Sequence, residues 1–153
     1  MKAAAIIRNA GSHGFTLAEL LVIIGIIAVI ATVSLPVYRS ISMNINLTSA
    51  GRDMATDLRF AQQQAVTTQA GYRVAFYIGS NSYAIINVET GATAKSRTLK
   101  APITIVSVTG LTGDAVTFNA TGAVDSAGII TLANPNGRRI AIDIKPSGYV
   151  KVQ

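Results

Sequence analysis

The chain has 153 residues, enough for one domain and an appendage but not for two separate cores. It contains no cysteine and one histidine, His13, placed before the expected folded part; disulfides, thiolate metal sites and a histidine-based triad are thereby excluded. Half of the residues are hydrophobic, 13% are charged and the mean hydropathy is +0.43, whereas a soluble domain carries nearer a quarter charged. An apolar segment must be biasing those figures. The net charge is +6; without Lys2 and Arg8, eleven basic residues face seven acidic ones, leaving +4. That balance suits contact with polyanions and equally suits plain solubility.

The first residues are basic (Lys2, Arg8, then His13) and contain no acid. From Phe15 to Leu35 the run FTLAELLVIIGIIAVIATVSL carries one charge, Glu19. As a helix it would span about 31 Å, close to the hydrocarbon thickness of a bilayer. The basic flank predicts a cytoplasmic N-terminus and a translocated C-terminal part. A secretory signal peptide cut after Ala31 or Ser34 would explain the apolar run, but not a carboxylate at its start.

Helical spacing continues beyond Pro36. Leu47, Met54, Leu58, Ala61 and Ala65 recur at intervals of three, four and seven, with Ala50 on the same face. Pro36 is therefore read as a kink or a locally melted turn within one long helix that ends near Thr68, with Gly71 as the stop. Arg52, Asp53, Asp57, Arg59, Gln62 and Gln63 mostly fall elsewhere around the helix, and Asp53 and Asp57, one turn apart, read as part of a solvated face.

From Tyr72 the period becomes two. YRVAFYI and SYAIINV flank Gly79-Ser80-Asn81 and predict a hairpin. ITIVSV (103–108), VTFN (116–119), IITLA (129–133), RIAIDI (139–144) and YVKV (149–152) are further strands. The last three form a meander through Asn134-Pro135-Asn136-Gly137 and Lys145-Pro146-Ser147-Gly148. The stretch from Glu89 to Pro102 is expected to be an exposed loop. The apolar stripe of the helix has only this sheet to bury against.

The residues Gly14-Phe15-Thr16-Leu17-Ala18-Glu19, after a basic leader and before an apolar helix, resemble type IV prepilins and type II secretion pseudopilins. The resemblance implies that a prepilin peptidase cuts between Gly14 and Phe15 and methylates the new amino group of Phe15. Glycine before the scissile bond lets a protease approach the backbone closely. A carboxylate near the end of a membrane helix is costly and needs a partner. The Phe15 amine of an adjacent subunit is the expected one, paired in low dielectric, and the pairing would set subunit register. The alternative is a Glu19 that snorkels to the headgroups, since it lies about 6 Å along the helix from Phe15.

Further along, Asp57-Leu58-Arg59-Phe60-Ala61-Gln62-Gln63-Gln64-Ala65-Val66 resembles the helix end of the GspH/FimT group, an L-x-x-A-R-x-x-A pattern in which Gln62 takes the arginine position. Phe118-Asn119-Ala120-Thr121-Gly122 and the final strands resemble the same group. The resemblance implies an α+β, pilin-like fold: a long N-terminal helix, with an apolar membrane half and an amphipathic half, packed on an antiparallel β-sheet head. The expected division is a leader at 1–14, a membrane and polymerisation helix at 15–36, an amphipathic continuation at 37–69 and a periplasmic head at 70–153. Glu19 and Pro36 are the expected assembly residues, and other pilins, the inner membrane and the peptidase the expected partners.

The implied role is a minor filament subunit, assembled from the inner membrane into a type II secretion pseudopilus. The alternative is a FimT-like minor pilin of a type IV pilus with weak DNA binding. In that group some members bind DNA through a C-terminal G-R-x-R. Here the corresponding residues read Gly148-Tyr149-Val150-Lys151. Arg138, Arg139, Lys145 and Lys151 could contact phosphates, or could be the solvent face of the meander with Ile140, Ile142 and Ile144 inward. No catalytic constellation, phosphate-binding loop or cofactor motif is present, and Asp114 and Asp125 lack the acidic cluster a calcium site needs, so no enzyme activity, cofactor or metal is expected.

Overall fold

The computed structural model describes residues 14–153 and every side chain among them except those of Val33, Leu35 and Pro36. Residues 1–13, with most of the expected leader including Lys2, Arg8 and His13, lie outside the described residues. The chain divides into two compact units, the first ending at Tyr38 and the second running from Arg39 to Gln153. One helix, α1 (Leu17–Thr68), contributes to both, and its helical backbone continues through Pro36.

In the first unit, α1 is apolar and its side chains from Leu17 to Thr32 are exposed. It is long and apolar enough to cross a membrane.

The second unit is the head. Eight antiparallel strands follow α1: β1 (Tyr72–Tyr77), β2 (Ser82–Asn87), β3 (Thr93–Thr98), β4 (Thr104–Thr109), β5 (Ala115–Phe118), β6 (Gly128–Ala133), β7 (Arg139–Ile144) and β8 (Val150–Val152). They form two four-stranded sheets, ordered β3-β2-β1-β5 and β4-β6-β7-β8, where the sequence suggested one. The expected hairpin is present, with Tyr72 opposite Asn87 and Tyr77 opposite Ser82. So is the β6–β7–β8 meander. Its turns close as their residues predict: the Gly137 amide donates to the Asn134 carbonyl at 3.0 Å and the Gly148 amide to the Lys145 carbonyl at 2.8 Å. Both glycines have positive φ.

Two expectations fail. The segment from Glu89 to Pro102 is not a loop throughout, because Thr93–Thr98 is an edge strand paired with β2. Its sequence, TAKSRT, lacks apolar alternation because its inward positions hold Lys95 and Arg97 instead of hydrophobic side chains. The helix stop is Gln69 rather than Gly71: Gln69 takes a left-handed φ of 55° while its side-chain amide donates to the Val66 carbonyl. Gly71 instead accepts the Val88 amide with its carbonyl.

One apolar cluster joins the three layers. Leu47, Met54, Leu58, Ala61 and Ala65 of α1 are fully buried, as their spacing predicts, together with Val74, Ile85 and Phe118 of one sheet and Ile130, Leu132 and Ile142 of the other. Where α1 meets the second sheet it comes close. A Cβ on Gly51 would sit 3.1 Å from Ile140 Cγ2, so any larger residue there would require the Ile140 side chain to give by a few tenths of an ångström.

Candidate assembly site and the head that carries it

The motif expected at the start of the mature chain forms the first turn of α1. Thr16 precedes the helix, its carbonyl accepting the Leu20 amide. Its hydroxyl accepts the Glu19 amide at 3.1 Å, and the Glu19 carboxylate reaches back toward the Thr16 amide at 3.5 Å. This is a capping box, built by the Thr-x-x-Glu spacing. The sequence reading used both residues only as parts of the motif and missed the cap, although the spacing was visible. The cap holds the Glu19 carboxylate at the positive end of the helix. Phe15 is 71% exposed, and a Cβ added to Gly14 would meet nothing within 4 Å. Packing among the described residues therefore does not require glycine at position 14.

On the head, Asp57 corrects the sequence reading. It is not on a solvated face: it is 2% exposed. The Tyr83 hydroxyl donates to its Oδ2 at 2.7 Å, Lys95 Nζ donates to Oδ1 at 2.5 Å, and Arg97 Nε lies 3.1 Å from Oδ2. Arg97 also reaches Asp53 Oδ2 at 2.8 Å. Asp53 and Asp57 are thus neutralised by two cations of β3, which fastens the edge of the first sheet to the helix. Burial, then the hydrogen bond and negative charge of Asp57, push the Tyr83 phenol above its ordinary value.

The residues that carried the resemblance to the GspH/FimT group converge at one junction. Gln62 Nε2 donates to the Gly122 carbonyl at 2.8 Å. A Cβ on Gly148 would fall on that same carbonyl oxygen and on the Gln62 side chain, and Gly148 has a φ of +79°. Asn119 shapes the preceding loop, its Oδ1 accepting the amides of Thr121 and Ala123. Helix end, β5–β6 connection and β7–β8 turn are locked together there.

The four cations considered for phosphate contact differ in their surroundings. Lys145 is paired with Asp143 at 2.7 Å. Arg138, Arg139 and Lys151 are exposed, while Ile140, Ile142 and Ile144 are buried, which matches the solvent-face reading of the meander. Asp143 departs from it, being mostly covered. Arg52 and Arg59 of α1 lie on the flank of Lys151 and β8, with Arg59 Nη2 donating to the Val150 carbonyl at 3.1 Å. Asp125 accepts the Thr117 and Ser126 amides, and Asp114 lies in an exposed turn. Among the described residues no group of metal-ligating side chains gathers.

Residues 9–35 match the prokaryotic N-terminal methylation motif, and residues 50–148 match the family described as type II transport protein GspH. A comparison with curated proteins found no match. Among solved structures, the minor pseudopilin EpsH of the type 2 secretion system of Vibrio cholerae aligns with a TM-score of 0.61 at 9% identity, over 71% of this chain and 96% of EpsH. The type IV minor pilin FimU of Pseudomonas aeruginosa aligns with a TM-score of 0.59 at 16% identity, over 72% of this chain and 90% of FimU. At these identities the likeness is one of fold. The family match extends over well more than half of the sequence, from the middle of the amphipathic helix through β7 and including the Gln62 junction: the chain belongs to the type II transport protein GspH family.

Proposed function

We propose that the chain is a minor, structural subunit of a type IV filament, made as an inner-membrane precursor with its head in the periplasm and drawn into a type II secretion pseudopilus. The observation that carries this is the joining of a methylation motif at residues 9–35 to a GspH-family head at residues 50–148 through one helix. Prepilin peptidase cuts between Gly14 and Phe15, where, among the described residues, nothing crowds Gly14 and Phe15 is exposed. The same enzyme methylates Phe15. Glu19, held by Thr16 in the first turn, then receives the Phe15 amine of a neighbouring subunit. The exposed apolar flank of α1 faces lipid before assembly and other helices after it. Residues 1–14 act as leader, 15–36 as the membrane and polymerisation helix, 37–69 as its amphipathic continuation and 70–153 as the head, with Pro36 at the junction of the two halves of the helix.

Mass spectrometry of the chain extracted from membranes containing an active prepilin peptidase tests this. An N-terminus of methyl-phenylalanine at position 15 is the expected result. A persistent Met1, or a cut after Ala31, would overturn it. Deleting the gene separates the two machines: loss of protein secretion is expected, and loss of pilus function alone would assign the subunit to a type IV pilus, the role printed for FimU.

A further inference from the structure

The charges of the head are segregated across α1. On one flank Asp53 and Asp57 are neutralised by Lys95 and Arg97 of β3. Lys151 of β8 stands opposite Asp143 of β7, on the face of the sheet away from Ile142, Ile144 and Val150; on the other flank of α1, among the described residues, Arg52 and Arg138 lie within salt-bridge distance of no carboxylate. Arg59 also lies there, tied to a backbone carbonyl but keeping its charge. These cations line a furrow. One hollow of about 320 Å³ is bounded by Ile41, Ile45, Arg52 and Arg138; a second, of about 460 Å³, is bounded by Arg52, Arg59, Tyr149 and Lys151. Arg52 borders both hollows, which lie in succession along the helix. The β6–β7 turn that brings Arg138 to it is pinned in place, with Asn134 Nδ2 donating to Asn44 Oδ1 at 2.9 Å and Asn136 Nδ2 to Ser40 Oγ at 3.2 Å.

We propose that this furrow docks an acidic, partly apolar polypeptide segment of a different filament subunit; the proposal rests on the filament reading above. Three features select that occupant. A second copy presenting the same flank would bring cations against cations, so the face disfavours homopolymer contacts and suits a partner of opposite sign. The walls alternate cations with exposed apolar groups, Ile41 and Ile45 at one end and Tyr149, 60% exposed, at the other. A phosphate backbone would leave that apolar surface unused. Arg52 and Arg59 are separated by about 10 Å of helix rise, too sparse to follow consecutive phosphates.

The test places a photo-crosslinking amino acid at exposed Thr56, between Arg52 and Arg59, in the full chain expressed alongside its filament machinery. Mass spectrometry should identify a crosslinked peptide from another pilin-like subunit, rich in Asp or Glu. A crosslink only to a second copy of this chain, or none, overturns the proposal. In parallel, the mature chain in detergent is titrated with a fluorescent peptide of alternating Glu and Leu and with a short DNA duplex. R52E combined with R138E should weaken peptide binding by at least about tenfold, and salt near 1 M, where the Debye length is roughly 3 Å, should do the same. R73E, on β1 and outside the furrow, should leave it unchanged. Equal binding by wild type and R52E/R138E, or tighter binding of DNA than of peptide at the same salt, overturns the proposal. The N-terminus of the chain is read in the same membranes: a chain beginning at Phe15 without a furrow crosslink removes the docking site alone, whereas an uncut chain removes the filament reading.

Discussion

Asp57→Ala tests whether the edge of the first sheet is held to the helix by charge. The substitution removes one acceptor from three donors at once: the Tyr83 hydroxyl, Lys95 Nζ and Arg97 Nε. The two cations are 39% and 37% exposed at the side chain, so water replaces much of what they lose. Tyr83 is 1% exposed and cannot recover in that way. A buried hydroxyl left unpaired costs about 1–3 kcal/mol, and breaking a buried ion pair costs about 3–5 kcal/mol when neither charge can rehydrate. Discounting the second figure for the wet cations, we expect Asp57→Ala to cost about 3 kcal/mol. Asp57→Asn keeps an acceptor for Tyr83 and loses only the charge, so about 1–2 kcal/mol is expected. For a domain of roughly 100 residues each kcal/mol moves Tm by about 4–8 °C, so the alanine variant should melt at least about 12 °C below wild type. Thermal and urea unfolding followed by circular dichroism read both variants, and a cycle with Tyr83→Phe should give a coupling of about 1 kcal/mol or more. An alanine variant within about 1 kcal/mol of wild type, or an asparagine variant less stable than the alanine one, would show that apolar packing alone holds β3.

The same cluster sets a pH dependence. Because the Tyr83 phenol is raised above its ordinary value of 10.0 in the folded head, the folded state keeps a proton that the unfolded chain loses. Stability from this group is present below pH 10 and falls as the pH rises above it, by up to about 1.4 kcal/mol per pH unit. Urea midpoints measured across that window should fall more steeply in wild type than in Tyr83→Phe; parallel curves would refute the assignment. Gly148→Ala combines a positive φ with a Cβ placed on the Gly122 carbonyl and Gln62, and should cost about 3 kcal/mol or prevent folding. Gly113→Ala, with φ +63° but open space around it, should cost only about 1 kcal/mol in the same melts, and similar losses for the two would contradict the close approach. Glu19→Ala should leave cleavage before Phe15 intact while reducing incorporation into filaments, read by immunoblots of sheared filament and membrane fractions. Full incorporation of this variant would remove Glu19 from the assembly contact.

The parts of the fold legible in the sequence are those in which hydrophobicity does the sorting. Leu47, Met54, Leu58, Ala61 and Ala65 are buried because a 3.6-residue period marks one helix face, and the meander is legible because Asn134–Gly137 and Lys145–Gly148 can do little but turn. The missed strand and the missed buried carboxylate have a single cause. In β3 the inward positions are Lys95 and Arg97, so its alternation is written in charge rather than in apolar side chains, and a pattern search for apolar residues reads it as a loop. The same logic misassigns Asp57, which sits one turn after Asp53 and is indistinguishable from a solvated acid until its partners, 26 to 40 residues further on, are placed beside it. Complementary charge is a pairwise property. One strand or one helix turn carries half of the signal, and neither half alone says which face is inward. The candidate site follows the same rule. Phe15, Thr16 and Glu19 were legible as a motif because it is local in sequence, whereas the Thr16–Glu19 cap, equally local, was overlooked because the motif alone accounted for both residues. The cationic hollow was not legible, because Arg52 of α1 and Arg138 of the β6–β7 turn share a flank only once the head has folded. Asp53 and Asp57, the acids of this stretch of α1, are paired with Lys95 and Arg97 on its other flank, a partnership that no single residue records.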